Sequence, residues 1–272
     1  MKTDAKSGIV YAEWRSKNPD FIFLLVHGMG AHSGRWKFAA EYFLEHNISS
    51  YSIELKGYGE TGALKGHIDS FEEYYKDLLA LYQIIVNENP NKKVFVLAES
   101  MGALISFIFA SRHQELFAGL ICISPAFGNG MKISAPDYFK MIASLLYDRK
   151  KQFVMPFNSK MCTRDEAYQK VMDNDPREHR FATSGTLWEI VKAQIASVFI
   201  AKKIMIPVLF LAAGNGRDKL VDIRAERKIF NFLKMNNPKN MIIQYPDMLH
   251  ALSIDIGREQ VFDDILKWVR GL

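Results

Sequence analysis

Short, unbroken apolar runs of strand length recur along the chain, at 9–14, 21–26, 51–55, 94–98, 119–124, 208–213 and 241–245. Between them, apolar residues return at helical spacing. The clearest case opens at Ser70-Phe71-Glu72-Glu73, a capping-box start, and continues through Tyr74, Leu78, Leu81 and Ile85 to a stop at Asn89-Pro90. Alternation of this kind predicts a mostly parallel central sheet flanked by helices on both faces.

After Ser124-Pro125 the strand rhythm stops for about eighty residues, too long for a bare loop in a packed domain, and it resumes at Ile206-Pro207. Two amphipathic faces stand in this stretch, Tyr138, Met141, Ile142 and Leu145, then Leu187, Ile190, Val191 and Ile195. The reading is one α/β core made of 1–125 and 203–272, interrupted by a helical cap at 126–202. An insertion there lies over the carboxyl ends of the strands, where open α/β sheets bind ligands. A chain of 272 residues has room for this single core and its insertion.

Candidate chemistry centres on Val96-Leu97-Ala98-Glu99-Ser100-Met101-Gly102. A strand, a tight turn and a helix start place Ser100 at the apex, the pattern of a nucleophile elbow in an α/β-hydrolase fold. Small residues two positions to either side let strand and helix approach, although Ala98 stands where the usual motif has glycine. The amide of Met101, at the helix start, points to where an oxyanion would form. A second amide, that of Met29, is expected from the glycine-rich turn His27-Gly28-Met29-Gly30 that follows run 21–26.

At this point the chain resembles the monoacylglycerol lipase and lysophospholipase family of α/β hydrolases, the serine aminopeptidase S33-like hydrolases. The resemblance rests on His27-Gly28 through Ser33-Gly34-Arg35-Trp36, Lys56-Gly57-Tyr58-Gly59, Gly66-His67-Ile68-Asp69-Ser70-Phe71 and Glu99-Ser100-Met101-Gly102, with two late segments. Glu54 stands where the family has Asp, and Tyr58 where it has His. The resemblance implies a serine hydrolase cleaving an acyl ester with one fatty chain beneath a helical lid, through an acyl-enzyme.

The late segments are Gly216-Arg217-Asp218-Lys219-Leu220-Val221-Asp222 and Pro246-Asp247-Met248-Leu249-His250. Asp218 is similar in position to the family's acid, and Asp222 reads as the N-cap of the next helix. His250 lies on a loop at the same sheet edge, and the order Ser, Asp, His is the one this fold uses. Asp247 is a rival acid by proximity alone. His27 and His67 read as loop-holding residues, and His46, His113 and His179 as surface or helix-end positions. Phe139, Met141 and Leu145 are the candidates for an acyl pocket.

The remaining properties narrow the class. The net charge of +5 is spread along the chain, with no basic run longer than Arg149-Lys150-Lys151, so no nucleic-acid partner is expected. No metal-ligand spacing, phosphate loop or dinucleotide fingerprint occurs, and neither metal nor cofactor is expected. The partner expected is a small lipid ester, with peripheral membrane contact through the cap left open, as is the oligomeric state. Cys122 and Cys162 form no Cys-x-x-Cys pair, and no secretory or membrane-spanning pattern is present, which points to a cytoplasmic setting. Thioesterases and carbon-carbon hydrolases share this triad and fold, and a ligand-binding protein without turnover is the rival from another class.

Overall fold

A computed structural model describes residues 1–214 and 216–272. Among these residues one sheet runs in the order β1 (Lys2–Thr3), β2 (Val10–Trp14), β4 (Ser49–Glu54), β3 (Ile22–Val26), β5 (Val94–Glu99), β6 (Gly119–Ile123), β9 (Val208–Ala213) and β10 (Met241–Tyr245). Strands β1 and β2 pair antiparallel, as do β2 and β4, and every other pairing is parallel. All seven predicted strands are present. The added β1 is two exposed residues, with no burial pattern to betray it.

The central strands are buried along their whole length, which is why they read as continuous apolar runs. Their side chains still alternate between two cores. Ile22, Leu24, Val26, Val94, Val96 and Ala98 face α2 (Phe71–Glu88), α3 (Met101–Arg112) and α8 (Ile223–Leu233). Phe23, Leu25, Phe95 and Leu97 face α1 (Lys37–Glu45) and α9 (Arg258–Arg270). Ser70 caps α2 as expected, its side chain accepting from the amide of Glu72. After β3 the chain passes to β4 on one side and returns past β3 to β5 on the other. The carboxyl ends of β3 and β5 therefore flank a topological switch point, the usual crevice of such sheets.

Between β6 and β9 the chain forms α4 (Ala135–Tyr147), β7 (Gln152–Val154), α5 (Ser159–Cys162), α6 (Glu166–Asn174), β8 (Phe181–Thr183) and α7 (Ser184–Ile200). The small antiparallel β7–β8 pair lies in a stretch expected to hold helical segments and turn-rich connections without strands. Each strand spans three residues, too few for a period of two to register against helical spacing. No helix among the described residues is long and apolar enough to cross a membrane.

One buried group works against this packing. Glu226 in α8 is fully buried, and neither carboxyl oxygen has a hydrogen-bond partner among the described residues. Burial, with Asp218 adding repulsion, pushes its pKa well above the usual carboxyl range. An acid whose pKa is raised on folding carries no charge penalty below its unfolded value of about 4.3 and costs stability as pH rises toward its folded value. Glu226→Leu should therefore stabilise the fold by about 1–3 kcal/mol near pH 4, where the buried carboxyl is neutral but still unpartnered, and by more as pH rises. Thermal melts of both proteins across pH test this, and a pH-independent difference would refute it.

Candidate active site

Ser100 sits in the turn between β5 and α3 with φ 58° and ψ −122°, a left-handed φ that a residue with a side chain rarely adopts. Its amide donates to the carbonyl of Ile123 at 2.9 Å, and its carbonyl accepts from the amides of Leu104 and Ala126. The turn closes because the neighbours are small. A Cβ on Gly102 would lie 2.4 Å from the carbonyl oxygen of His27, and one on Gly28 would lie 2.9 Å from Cβ of Ser100. Ala98, where glycine is usual, fits at full burial opposite Val26 and Cys122.

His250 follows β10 and is buried. Its Nδ1 donates to Oδ2 of Asp218 at 2.7 Å, leaving Nε2 with the lone pair. Asp218 Oδ1 accepts from the amides of Leu220 and Val221, so the carboxylate is fixed before it meets the imidazole. Ser124 Oγ donates to the carbonyl of His250 at 2.7 Å and holds its loop to the end of β6. Asp222 caps α8 as expected, and Asp247 is exposed and turned to Arg217. Ser100, His250, Met29 and Met101 line one cavity of about 410 Å³.

The loop that carries Met29 is held by buried polar groups. His27 accepts the amide of Leu55 at Nε2 and donates through Nδ1 to the carbonyl of Gly28, so it is neutral and structural, as read from the sequence. Glu54 accepts from the amides of Ser33 and Glu60, and its carboxyl fills the space a Cβ on Gly59 would need. The longer Glu, where Asp was usual, bridges two loops. His179 stacks nearly parallel on Tyr58 with ring centroids 5.1 Å apart, and its amide donates to Gly30. It therefore belongs to the cavity wall rather than the surface expected for it.

The insertion supplies an apolar side of the cavity, with Tyr138, Met141, Ile142 and Leu145 of α4 and Leu187, Ile190 and Val191 of α7. Phe139 does not join them. It is 75% exposed, because one residue along a helix turns the side chain about 100° away from its neighbour Tyr138. The lining also includes charged groups that sequence reasoning missed. Among them Arg35 is ion-paired with Glu178, Arg180 with Asp173, and Glu99 accepts from the hydroxyl of Ser253 at 3.0 Å. Arg35 and Glu99 stand in segments that carry the family resemblance, but their partners are remote in sequence, and only the fold brings them together.

Residues 17–256 match the family model described as "Serine aminopeptidase, S33". A monoacylglycerol lipase of Mycolicibacterium smegmatis is 21% identical over 96% of this chain and 92% of its own length. The phospholipase YtpA of Bacillus subtilis is 27% identical over 92% of this chain and 95% of its own. Among solved structures, the monoacylglycerol lipase of Paleococcus ferrophilus superposes with a TM-score of 0.83 at 21% identity, covering 96% of this chain and 98% of that one. Such a likeness carries the α/β-hydrolase fold across both proteins.

The electrostatics of the pair are set by opposing effects. Burial pulls the His250 imidazole down, but the charge and hydrogen bond of Asp218, with Glu99 adding, leave its pKa above the ordinary value. Burial likewise pushes Asp218 up, and His250 together with the two amides holds it below the usual carboxylate range. In Asp218→Asn the attraction is gone while burial remains. The His250 ring should then titrate below the usual value of about 6.5 instead of above it. NMR titration of the ring decides this, and an unmoved midpoint would mean the pair is not the controlling interaction.

Proposed function

The chain belongs to the serine aminopeptidase S33 family of hydrolases, and from that membership we propose that it cleaves carboxylic esters of the monoacylglycerol type, with Ser100 as nucleophile. The observation that carries this reading is the 2.7 Å contact of His250 with Asp218 on the cavity onto which Ser100 opens. Ser100 Oγ attacks the ester carbonyl while Nε2 of His250 takes its proton, and Asp218 stabilises the imidazolium that forms. The amides of Met29 and Met101 receive the oxyanion. His250 then protonates the departing alcohol, and a water molecule activated by the same imidazole releases the acid from Ser100.

The apolar and polar parts of the lining suit the two ends of such a substrate. A flexible acyl chain packs against Met141, Ile142, Leu145 and Leu187 of the cap. Among the polar lining both arginines are already engaged by carboxylates, Arg35 by Glu178 and Arg180 by Asp173. A phosphodiester would therefore meet no free counter-ion among these groups. An uncharged glycerol head group needs none. The buried free thiols of Cys122 and Cys162 accord with a reducing, cytoplasmic setting.

The test is covalent labelling of Ser100 by a fluorophosphonate, read by mass spectrometry, beside hydrolysis of monoacylglycerols, lysophosphatidylcholine, an acyl thioester and an aminoacyl anilide. Labelling should fall on Ser100, monoacylglycerol should be hydrolysed fastest, and Ser100→Ala should lose about 10⁶-fold in rate. A folded protein that is not labelled at Ser100 would overturn the mechanism. Faster cleavage of the thioester, phospholipid or anilide would overturn the substrate class alone.

The cap exposes Phe139 and Leu146 on α4 and Phe199 on α7, with Lys140 and Lys192 on the same helices. We propose that these side chains rest on the lipid surface that holds the substrate. Phe139→Glu combined with Leu146→Glu should lower hydrolysis of vesicle-borne monoacylglycerol by on the order of 10-fold or more. Turnover of a soluble butyrate ester should be unchanged, and an equal loss on both substrates would contradict the docking role.

A further inference from the structure

The insertion is fastened to the loop of His250 far more firmly than a cover needs. The carbonyl of Cys162, at the end of α5, accepts from the amide of Ala251 at 2.9 Å. The next two residues of the insertion converge on Asp255, which is fully buried. Thr163 Oγ1 lies 3.1 Å from Oδ1 of Asp255, the amide of Arg164 donates to the same oxygen at 2.7 Å, and Arg164 Nε donates to Oδ2 at 3.0 Å. Oδ2 also accepts, at 2.7 Å, the amide of Leu249, the residue immediately before His250. Cys162 packs with Leu220, Ala251 and Ile254 in one apolar cluster, so the contact also touches the loop of Asp218.

We propose that Asp255 is a positioning residue for His250, holding the base at its working distance from Ser100 by clamping its loop to residues 162–164 of the insertion. This rests on the assignment of Ser100, Asp218 and His250 above. A buried carboxylate with so many donors, two of them on opposite sides of the joint, fixes both partners at once. The part of the insertion around α5 is then a mount for the base, while α4, with Ser144 as its one buried residue, is the part left to cover the cavity.

The experiment compares wild type, Asp255→Asn and Arg164→Ala, the last removing a partly exposed side chain so that folding is preserved. Readouts are kcat and KM on a soluble ester, the rate of Ser100 phosphonylation, the acid limb of the pH profile and the thermal midpoint. The groups that set that limb are Asp218, Glu99 and Arg35, which all act on His250 and are untouched by the substitutions. Both variants should lose about 10-fold to 10²-fold in kcat and in phosphonylation rate, the cost of a misplacement of order 1 Å. KM should be nearly unchanged, and the acid limb should move to lower pH as the bond to Asp218 loosens. Millimolar guanidinium should restore part of the Arg164→Ala rate.

Unchanged kcat and labelling in Arg164→Ala would overturn the proposal. So would a loss that follows only the folded fraction, with the acid limb in place and no rescue. A wild type that is not labelled at Ser100 would instead remove the triad on which the proposal stands.

Discussion

The close approach of α3 to the end of β3 is the constraint on which the rest of the site depends. Gly102 must pass within van der Waals contact of the carbonyls of Val26 and His27, and Gly28 must clear Ser100. Only then can the chain turn sharply enough after β5 to leave Ser100 with a left-handed φ and its side chain facing the cavity. The strain is tolerated because both neighbours of the turn are fixed, the strand by the sheet and the helix by burial along nearly its whole length. The same contact places the loop of Met29 and the start of α3 on one cavity, so the proposed nucleophile and the proposed oxyanion donors arise from one packing event at the switch point of the sheet.

Around that point the fold handles buried charge by a single rule, which is to meet each carboxylate with backbone amides. Asp218 takes two amides and an imidazole, Asp255 takes amides and an arginine, and Glu54 takes amides from two loops. Each of these groups ties a loop from one strand end to another segment, so its desolvation is offset while it fixes geometry. Glu226 has no such donors and ties nothing. The contrast separates carboxylates that hold the site from one that merely sits beneath it.

Much of this was legible in the residues because local rules governed it. The central strands are apolar on both faces, the helix starts carry caps, and the turn at Ser100 needs small neighbours that the sequence displays. Such features depend on residues close together in the chain. Arg35 and Glu178 lie 143 positions apart, and Glu99 and Ser253 lie 154 apart, so no spacing could have joined them. His179 looked like a surface residue because its partner Tyr58 comes from another loop. Phe139 was misplaced for a different reason. Its apolar character suits a pocket but its helical phase does not, and a single position carries a side chain from the cavity to solvent.

The insertion shows how one segment can meet two demands. Its first helix keeps apolar side chains on both faces, an arrangement that is unfavourable in water unless something else covers the outer one. Around α5 and α6 the chain is instead engaged by polar bonds as well as by its apolar cluster: Thr163, Arg164, Asp175 and Glu178 all bond to core segments next to Met29 or His250. A cover that moved as one body would have to break these bonds and loosen both loops with each opening. Motion confined to α4 would avoid that, since its packing is chiefly against α7. With this division of the insertion, access to the cavity would change while the proposed reacting groups stayed aligned.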